Sequence, residues 1–137
     1  MYKRQGLISS VSDNLGNIWL GTDNGLYFAE SILFKDTVQN ILNYVKLIAK
    51  DIIGTSTVNS LIINDNLLFI GNEFGISILD LKDYYAGKTN IFNINQEFGY
   101  LGGPIIQNSM IIDKKNQLWV AGAMHVSLIK FQHIIND

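Results

Sequence analysis

Aromatic residues recur in this chain at a fixed spacing of 50 residues, at Trp19, Phe69 and Trp119. Each stands inside a segment that has the same order of apolar, polar and small residues. The three segments run over 8–28, 58–79 and 107–131. A repeat of about 40 to 50 residues is typical of folds in which one small unit packs on the next. This spacing therefore predicts a fold built from repeated units.

Each segment is predicted to form three antiparallel strands joined by tight turns. A short apolar strand leads to a polar turn, which begins with Asp13 in the first segment and Asp113 in the third. The strand with the aromatic residue follows and ends at a small residue, Gly21, Gly71 or Ala121. A second turn then leads to the third strand. Asp, Asn and Gly favour turns, and the period-two alternation of β-branched and aromatic residues favours strands over helices.

A fourth strand is expected in each unit before the next unit begins. The candidates are residues 44–48 and 90–94. Residues 36–53 also carry apolar side chains at helical spacing, so this stretch contains either the fourth strand or an inserted amphipathic helix. We favour the strand, because the unit needs a fourth strand from this part of the chain.

These elements predict an all-β fold, a partial β-propeller of about three four-stranded antiparallel blades with the last one incomplete. The blades are expected at 7–49, 58–95 and 107–131, and residues 1–6 are interpreted as a non-native or disordered start. Propellers close with about four to eight blades. The chain is therefore predicted to be a segment of a larger propeller, whose remaining blades are its partners. Trp19, Phe69 and Trp119 are expected to pack between blades.

The first unit resembles a known repeat. Residues 13–26 read D-x-x-G-N-I-W-L-G-T-x-N-G-L, which resembles the two-component-regulator propeller repeat. The second unit has Phe69 at the tryptophan position and a turn that is one residue shorter. The third unit has Ala121 at the glycine position, and His125 stands where the first unit has Gly25.

This resemblance implies an extracytoplasmic setting. Repeats of this family usually build large propellers in the sensor region of bacterial membrane histidine kinases, and many of these kinases sense oligosaccharides. By this resemblance, the chain is a periplasmic ligand-sensing segment of a receptor that is anchored in the inner membrane and forms dimers. Any kinase activity lies in other parts of that receptor. The alternative function is a structural or protein-interaction propeller on a secreted or surface protein.

Loops at one end of the blades are expected to cluster near the central mouth of the propeller, where a ligand site would form. Aromatic side chains there would stack on a sugar, and amides and carboxylates would hydrogen-bond its hydroxyl groups. The candidate residues for this ligand face are Asn24, Glu73, Phe74, Tyr100, Asn108 and His125. The alternative interpretation is that they are ordinary solvent-exposed turn residues.

Composition excludes several other functions. The net charge is −2 and the Lys and Arg residues are scattered, so no nucleic-acid surface is predicted. The chain has no cysteine, and its two histidines, His125 and His133, show no pattern typical of a metal site or of nucleophilic catalysis. We expect no enzyme activity, cofactor or metal. We also expect no membrane contact within this segment, because no apolar run approaches about 18 residues.

Overall fold

The computed structural model describes residues 6–30, 45–47, 57–72, 75–94, 105–122 and 126–131. Strands make up most of the described chain. In chain order they are β1 (Leu7–Ser12), β2 (Ile18–Thr22), β3 (Gly25–Ala29), β4 (Val45–Leu47), β5 (Val58–Asn64), β6 (Leu67–Asn72), β7 (Gly75–Asp80), β8 (Ile91–Ile94), β9 (Ile105–Ile112), β10 (Leu118–Gly122) and β11 (Val126–Ile129). One short helix, α1 (Leu81–Tyr85), lies between β7 and β8.

The strands form three open antiparallel sheets. Sheet 1 has the order β1-β2-β3-β4, sheet 2 has the order β5-β6-β7-β8, and sheet 3 contains β9, β10 and β11 in the described residues. The predicted all-β fold of antiparallel sheets is confirmed. The two candidate fourth strands are observed as β4 and β8, while the rest of 36–53 and residues 1–5 lie outside the described residues.

The three sheets place their aromatic residue at the same position of the middle strand. Each aromatic residue has one cross-strand partner on the first strand and one on the third. These sets are Val11, Trp19 and Phe28 in sheet 1, Ile62, Phe69 and Ile78 in sheet 2, and Ile111, Trp119 and Leu128 in sheet 3. The sequence repeat is therefore also a repeat of strand register.

Apolar side chains bury the faces of neighbouring sheets against each other. The first core cluster joins Trp19 of sheet 1 to Leu68 and Ile70 of sheet 2. The second cluster joins Phe69 of sheet 2 to Leu118 and Val120 of sheet 3. Because side chains alternate between the two faces of a strand, sheet 2 packs against sheet 1 with one face and against sheet 3 with the other.

This arrangement explains why the middle strands differ in sequence pattern. In β6 every residue from Leu68 to Asn72 is buried, because sheet 2 is covered on both faces. A strand buried on both sides reads as a continuous apolar run. In β10, by contrast, buried and more exposed residues alternate, because only one of its faces meets another sheet in the described structure.

The sheets converge at their first strands. Strand β5 contacts both β1 and β9, and β1 also contacts β9. Between β1 and β5, the Ser9 hydroxyl oxygen accepts a hydrogen bond of 3.2 Å from the backbone N–H of Leu61. A Cβ atom at Gly21 would lie only 2.7 Å from Cγ1 of Val58. The close approach of β2 to the next sheet therefore accounts for the glycine at position 21.

Helix α1 was not predicted from the sequence. Asp80 caps it, since its carboxylate oxygen accepts a hydrogen bond of 3.1 Å from the backbone N–H of Asp83. Leu81, the first residue of α1, is buried in the interface between sheets 1 and 2. At the corresponding position after β11, Phe131 is buried between sheets 2 and 3. A large apolar residue after the third strand therefore closes each described interface.

Candidate functional site

The predicted ligand face is described in part. Asn24 lies at the tip of the β2–β3 hairpin and is exposed to solvent. Asn108 lies within β9. Glu73, Phe74, Tyr100 and His125 lie outside the described residues. The grouping of all six residues around one mouth therefore stays a prediction.

The β2–β3 hairpin lies beside the start of the next sheet. Asp23 accepts a hydrogen bond from the backbone of Gly6 on its carboxylate (3.2 Å), and its own backbone N–H donates to the Gly6 carbonyl (3.2 Å). The Thr57 hydroxyl, just before β5, donates to the Asp23 carbonyl at 3.3 Å. We call this end of the sheets the hairpin end. There, the β2–β3 hairpin of sheet 1 lies next to the residue that precedes the first strand of sheet 2.

Local hydrogen bonds hold the backbone of this hairpin. The Thr22 hydroxyl donates to the Gly25 carbonyl at 2.9 Å and accepts from the backbone N–H of Asn24 at 3.0 Å. Gly25 has φ = 128°, a backbone conformation that L side chains rarely adopt. Asn24 is therefore presented on a defined turn rather than on a long loop.

The opposite end, which we call the turn end, carries a hydrogen-bonded turn at residues 13–17. One carboxylate oxygen of Asp13 accepts from the backbone N–H groups of Leu15 and Asn17, both at 3.0 Å. The other oxygen accepts from the indole N–H of Trp19 at 3.1 Å and from the Tyr85 hydroxyl. Asp13 is buried, so these donors replace the water that its carboxylate would otherwise need.

The same turn recurs in sheet 3. Asp113 accepts from the backbone N–H groups of Lys115 and Gln117 (2.8 and 3.0 Å) and from the Trp119 indole N–H (2.8 Å). The hydrogen bond from Trp119 holds the pKa of Asp113 below its ordinary value. Asn116 adopts a left-handed φ of 57°, where the first turn has Gly16 at 81°. The hydrogen bond from a tryptophan indole N–H to an aspartate six residues earlier thus occurs in both sheet 1 and sheet 3.

Sheet 2 has neither the tryptophan nor the aspartate six residues before it. Phe69 has no indole N–H, and the shorter β5–β6 turn has Asp65 in a left-handed conformation with φ = 54° at its tip. Phenylalanine has no ring N–H that needs an acceptor. A turn without a counterpart of Asp13 therefore leaves no ring donor of Phe69 unpaired.

The three aromatic residues differ in burial although their register is the same. Trp19 and Phe69 are fully buried between sheets, whereas Trp119 is 39% exposed. Within the described residues, no sheet covers the outer face of sheet 3. The expected packing between units is thus seen for Trp19 and Phe69, and Trp119 lies on an open face.

A shallow cleft of about 250 Å³ lies at the turn end between sheets 1 and 2. Its lining includes Asp13, Leu15, Asp65 and Tyr85. The Tyr85 hydroxyl donates to Asp13 and accepts from the side-chain amide of Asn17 at 3.0 Å. Burial, together with the hydrogen bond to Asp13, raises the pKa of Tyr85 to about 12. These contacts fasten α1 of sheet 2 to the turn of sheet 1, so we assign the cleft a structural role.

The described residues show neither a cluster of metal-ligating side chains nor a membrane-spanning helix. No three or more His, Cys, Asp and Glu side chains in the described part of the chain are grouped so that they could hold a metal ion. Among the same residues, no helix is long and apolar enough to cross a membrane.

Comparison with known proteins shows a similarity of fold. No protein-family model matches the chain, and no curated protein matches it significantly. The fold is similar to the crystal structure of the extracellular domain of a putative hybrid two-component system from B. thetaiotaomicron, with a TM-score of 0.73 and 13% sequence identity. The match covers 96% of this chain and 16% of that domain. At this identity the similarity establishes a shared fold, and the chain corresponds to a small part of the larger domain.

Proposed function

We propose that this chain is part of the extracytoplasmic sensing region of a membrane two-component receptor. The observation that carries this proposal is the structural match over 96% of the chain to the extracellular domain of a putative hybrid two-component system. The resemblance of residues 13–26 to the two-component-regulator propeller repeat supports the same assignment from the sequence. In this proposal the parent receptor is anchored in the inner membrane and forms dimers, and its kinase activity lies in other parts.

We further propose that the three sheets are consecutive blades of a propeller. In a propeller, similar four-stranded sheets are arranged around a central channel. Three features support this interpretation: the repeated strand order, the equivalent register of the aromatic residues, and the convergence of β1, β5 and β9. The remaining blades of the parent propeller are then the immediate partners of this segment.

The hairpin end is the proposed ligand face, and we propose an oligosaccharide as the ligand. Asn24 is exposed there on a hydrogen-bonded turn, and the contact of Asp23 with Thr57 places this turn next to the start of β5. A side-chain amide both donates and accepts hydrogen bonds, which suits the hydroxyl groups of a sugar. The turn end is less suited to this role, because the polar groups of Asp13 and Asn17 already hydrogen-bond to other parts of the chain. The proposed role is binding without catalysis.

The test is calorimetric titration of a panel of neutral oligosaccharides into the longest natural polypeptide that contains this chain. We expect Asn24→Ala to weaken the binding of the recognised sugar by about tenfold, because one or two hydrogen bonds to hydroxyl groups are lost. Asn14→Ala is the matched control, since Asn14 is an exposed asparagine on a turn at the opposite end. It should leave the affinity unchanged. Equal effects of the two substitutions, or no sugar binding at all, would contradict the proposed ligand face.

A further inference from the structure

The first strands of sheets 1 and 2 carry a serine at the same place in the register. Ser9 of β1 lies opposite Gly21, and Ser60 of β5 lies opposite Gly71. In both strands the pairing with the middle strand shifts just before this serine. The two serines therefore occupy equivalent positions of the repeat, and equivalent contacts are expected of them.

In the interface between sheets 1 and 2, this serine bonds to the edge of the next sheet. Strand β5 is the first strand of sheet 2, so one of its edges has no neighbouring strand within that sheet. The Ser9 hydroxyl oxygen accepts a buried hydrogen bond of 3.2 Å from the Leu61 N–H on this edge. The serine thereby supplies an acceptor to a backbone donor that has no partner within its own sheet.

Ser60 is more deeply buried than Ser9, yet its hydroxyl makes no such contact. Ser60 is 1% exposed and Ser9 is 8% exposed. Ser60 lies two residues before Ile62 on β5, so both side chains point toward sheet 3, where Ile62 packs against the second core cluster. Within the described residues, the Ser60 hydroxyl oxygen is buried without a hydrogen-bond partner. Burying a hydroxyl costs free energy unless it is hydrogen-bonded, and nearly all buried polar groups in folded proteins are.

The strand that Ser60 faces offers a backbone partner at the equivalent place. In the described residues, β9 is the first strand of sheet 3, and it contacts β5. Met110 of β9 lies opposite Val120, as Leu61 lies opposite Ile70 in sheet 2. Backbone N–H groups alternate in direction along an antiparallel strand. The Met110 N–H is therefore directed toward the edge of β9, as the Leu61 N–H is directed toward the edge of β5.

We propose that Ser60 and the edge of β9 hold one buried water molecule between sheets 2 and 3. The water donates a hydrogen bond to Ser60 Oγ and accepts one from the Met110 N–H, so the contact that Ser9 makes directly is made here through a bridge. A bridging water is nearly as favourable as a direct hydrogen bond, provided that it has at least two polar partners. This site lies between two sheets of the chain itself and is independent of the proposed sugar binding.

The sign of the effect of Ser60→Ala on stability tests this proposal. With the water in place, urea denaturation should show an equilibrium constant for unfolding that is about fivefold larger in the variant, because the bridge is lost. If the hydroxyl has no partner, the same substitution should lower that constant, because an unpaired buried polar group is removed. Ser9→Ala is the matched reference and should raise the constant about tenfold, since the Leu61 N–H then loses its acceptor.

A crystal structure of the longest natural polypeptide that contains this chain detects the water directly. At a resolution that shows ordered solvent, we expect a water oxygen within about 3.2 Å of both Ser60 Oγ and the Met110 nitrogen, and no such water in Ser60→Ala. A protein atom bonded to Ser60 Oγ in place of the water would overturn the proposal. A neutral or stabilising effect of Ser60→Ala would also overturn it.

Discussion

At the scale of single residues, the pairing of aspartate with tryptophan explains a difference between the repeats. Asp13 and Asp113 each accept a hydrogen bond from an indole N–H six residues later. The sequence predicted turns at both aspartates from the preference of Asp for such positions. It did not predict the bond to the ring, because turn preference concerns the backbone and not the distant side chain that completes the contact.

At Gly21 an added Cβ atom would collide with Val58 of the next sheet. We expect Gly21→Ala to lower the free energy of unfolding by about 1–3 kcal/mol, because the new methyl group would overlap Cγ1 of Val58. Val58→Ala removes that Cγ1 atom. In the double variant the destabilisation should therefore be at least ~1 kcal/mol smaller than the sum of the two single changes. Urea denaturation of the four proteins measures this coupling.

The control for this cycle is Gly87→Ala. Gly87 has φ = 86° and no atom within 4 Å of the position of a Cβ, so alanine there is strained by backbone conformation alone. Its cost should add to that of Val58→Ala without any rescue. Simple additivity at Gly21 would mean that sheets 1 and 2 do not approach each other as described. An equal rescue at Gly87 would mean that the coupling does not report on the contact between Gly21 and Val58.

At the scale of elements, α1 connects two sheets through its tyrosines. Tyr84 packs against Trp19 and Phe28 of sheet 1, with ring centroids 5.3 and 5.8 Å apart. Tyr85 hydrogen-bonds to Asp13 of the same sheet. The helix of one unit thereby holds the turn of the preceding unit, which adds polar and aromatic contacts to the aliphatic interface.

The hydrogen bonds of the Tyr85 hydroxyl should make the free energy of unfolding depend on pH in the alkaline range. The pKa of Tyr85 is about 12 in the folded chain and 10.0 in the reference state, so between these values the unfolded state loses a proton that the folded state keeps. The stabilisation from Tyr85 is therefore complete below pH 10 and is lost as the pH rises toward 12. The effect should be modest, since Tyr85 is partly exposed.

Comparison of the unaltered chain with Tyr85→Phe isolates this contribution. At neutral pH we expect the variant to be less stable by about 1 kcal/mol, because the hydroxyl group bonds to both Asp13 and Asn17. The difference in free energy of unfolding should shrink when the denaturation is repeated between pH 10 and 12. A difference that is constant over this range would contradict the role given to the hydroxyl group.

Strands were easier to predict from this sequence than the helix. The strands around Trp19, Phe69 and Trp119 have alternating or continuous apolar patterns bounded by turn residues, and both candidate fourth strands are observed as β4 and β8. Helix α1 has only five residues, too few for a helical period to show. Asp80 followed three residues later by Asp83 is typical of a helix start. Asp80 is also the last residue of β7, so the apolar pattern of that strand hid this signal.

At the scale of the whole molecule, the repeat predicted the stack of sheets but not the burial of each position. Trp19 and Trp119 have similar sequence contexts and the same register, yet Trp19 is fully buried and Trp119 is 39% exposed. Burial depends on whether another sheet lies on the outer face, and a repeat pattern within one unit carries no information about its neighbour. For the same reason the sequence could name Asn24 as a ligand candidate but could not show which loops surround it.

Sheets 1 and 2 each bury their aromatic residue under the sheet that follows, whereas Trp119 of sheet 3 is partly exposed. The most direct measurement is iodide quenching of tryptophan fluorescence in two variants that each keep one tryptophan. With Trp119→Phe, the remaining Trp19 should emit at short wavelength and resist quenching. With Trp19→Phe, the remaining Trp119 should emit at longer wavelength and be quenched readily. Equal quenching of the two tryptophans would contradict the stacked arrangement.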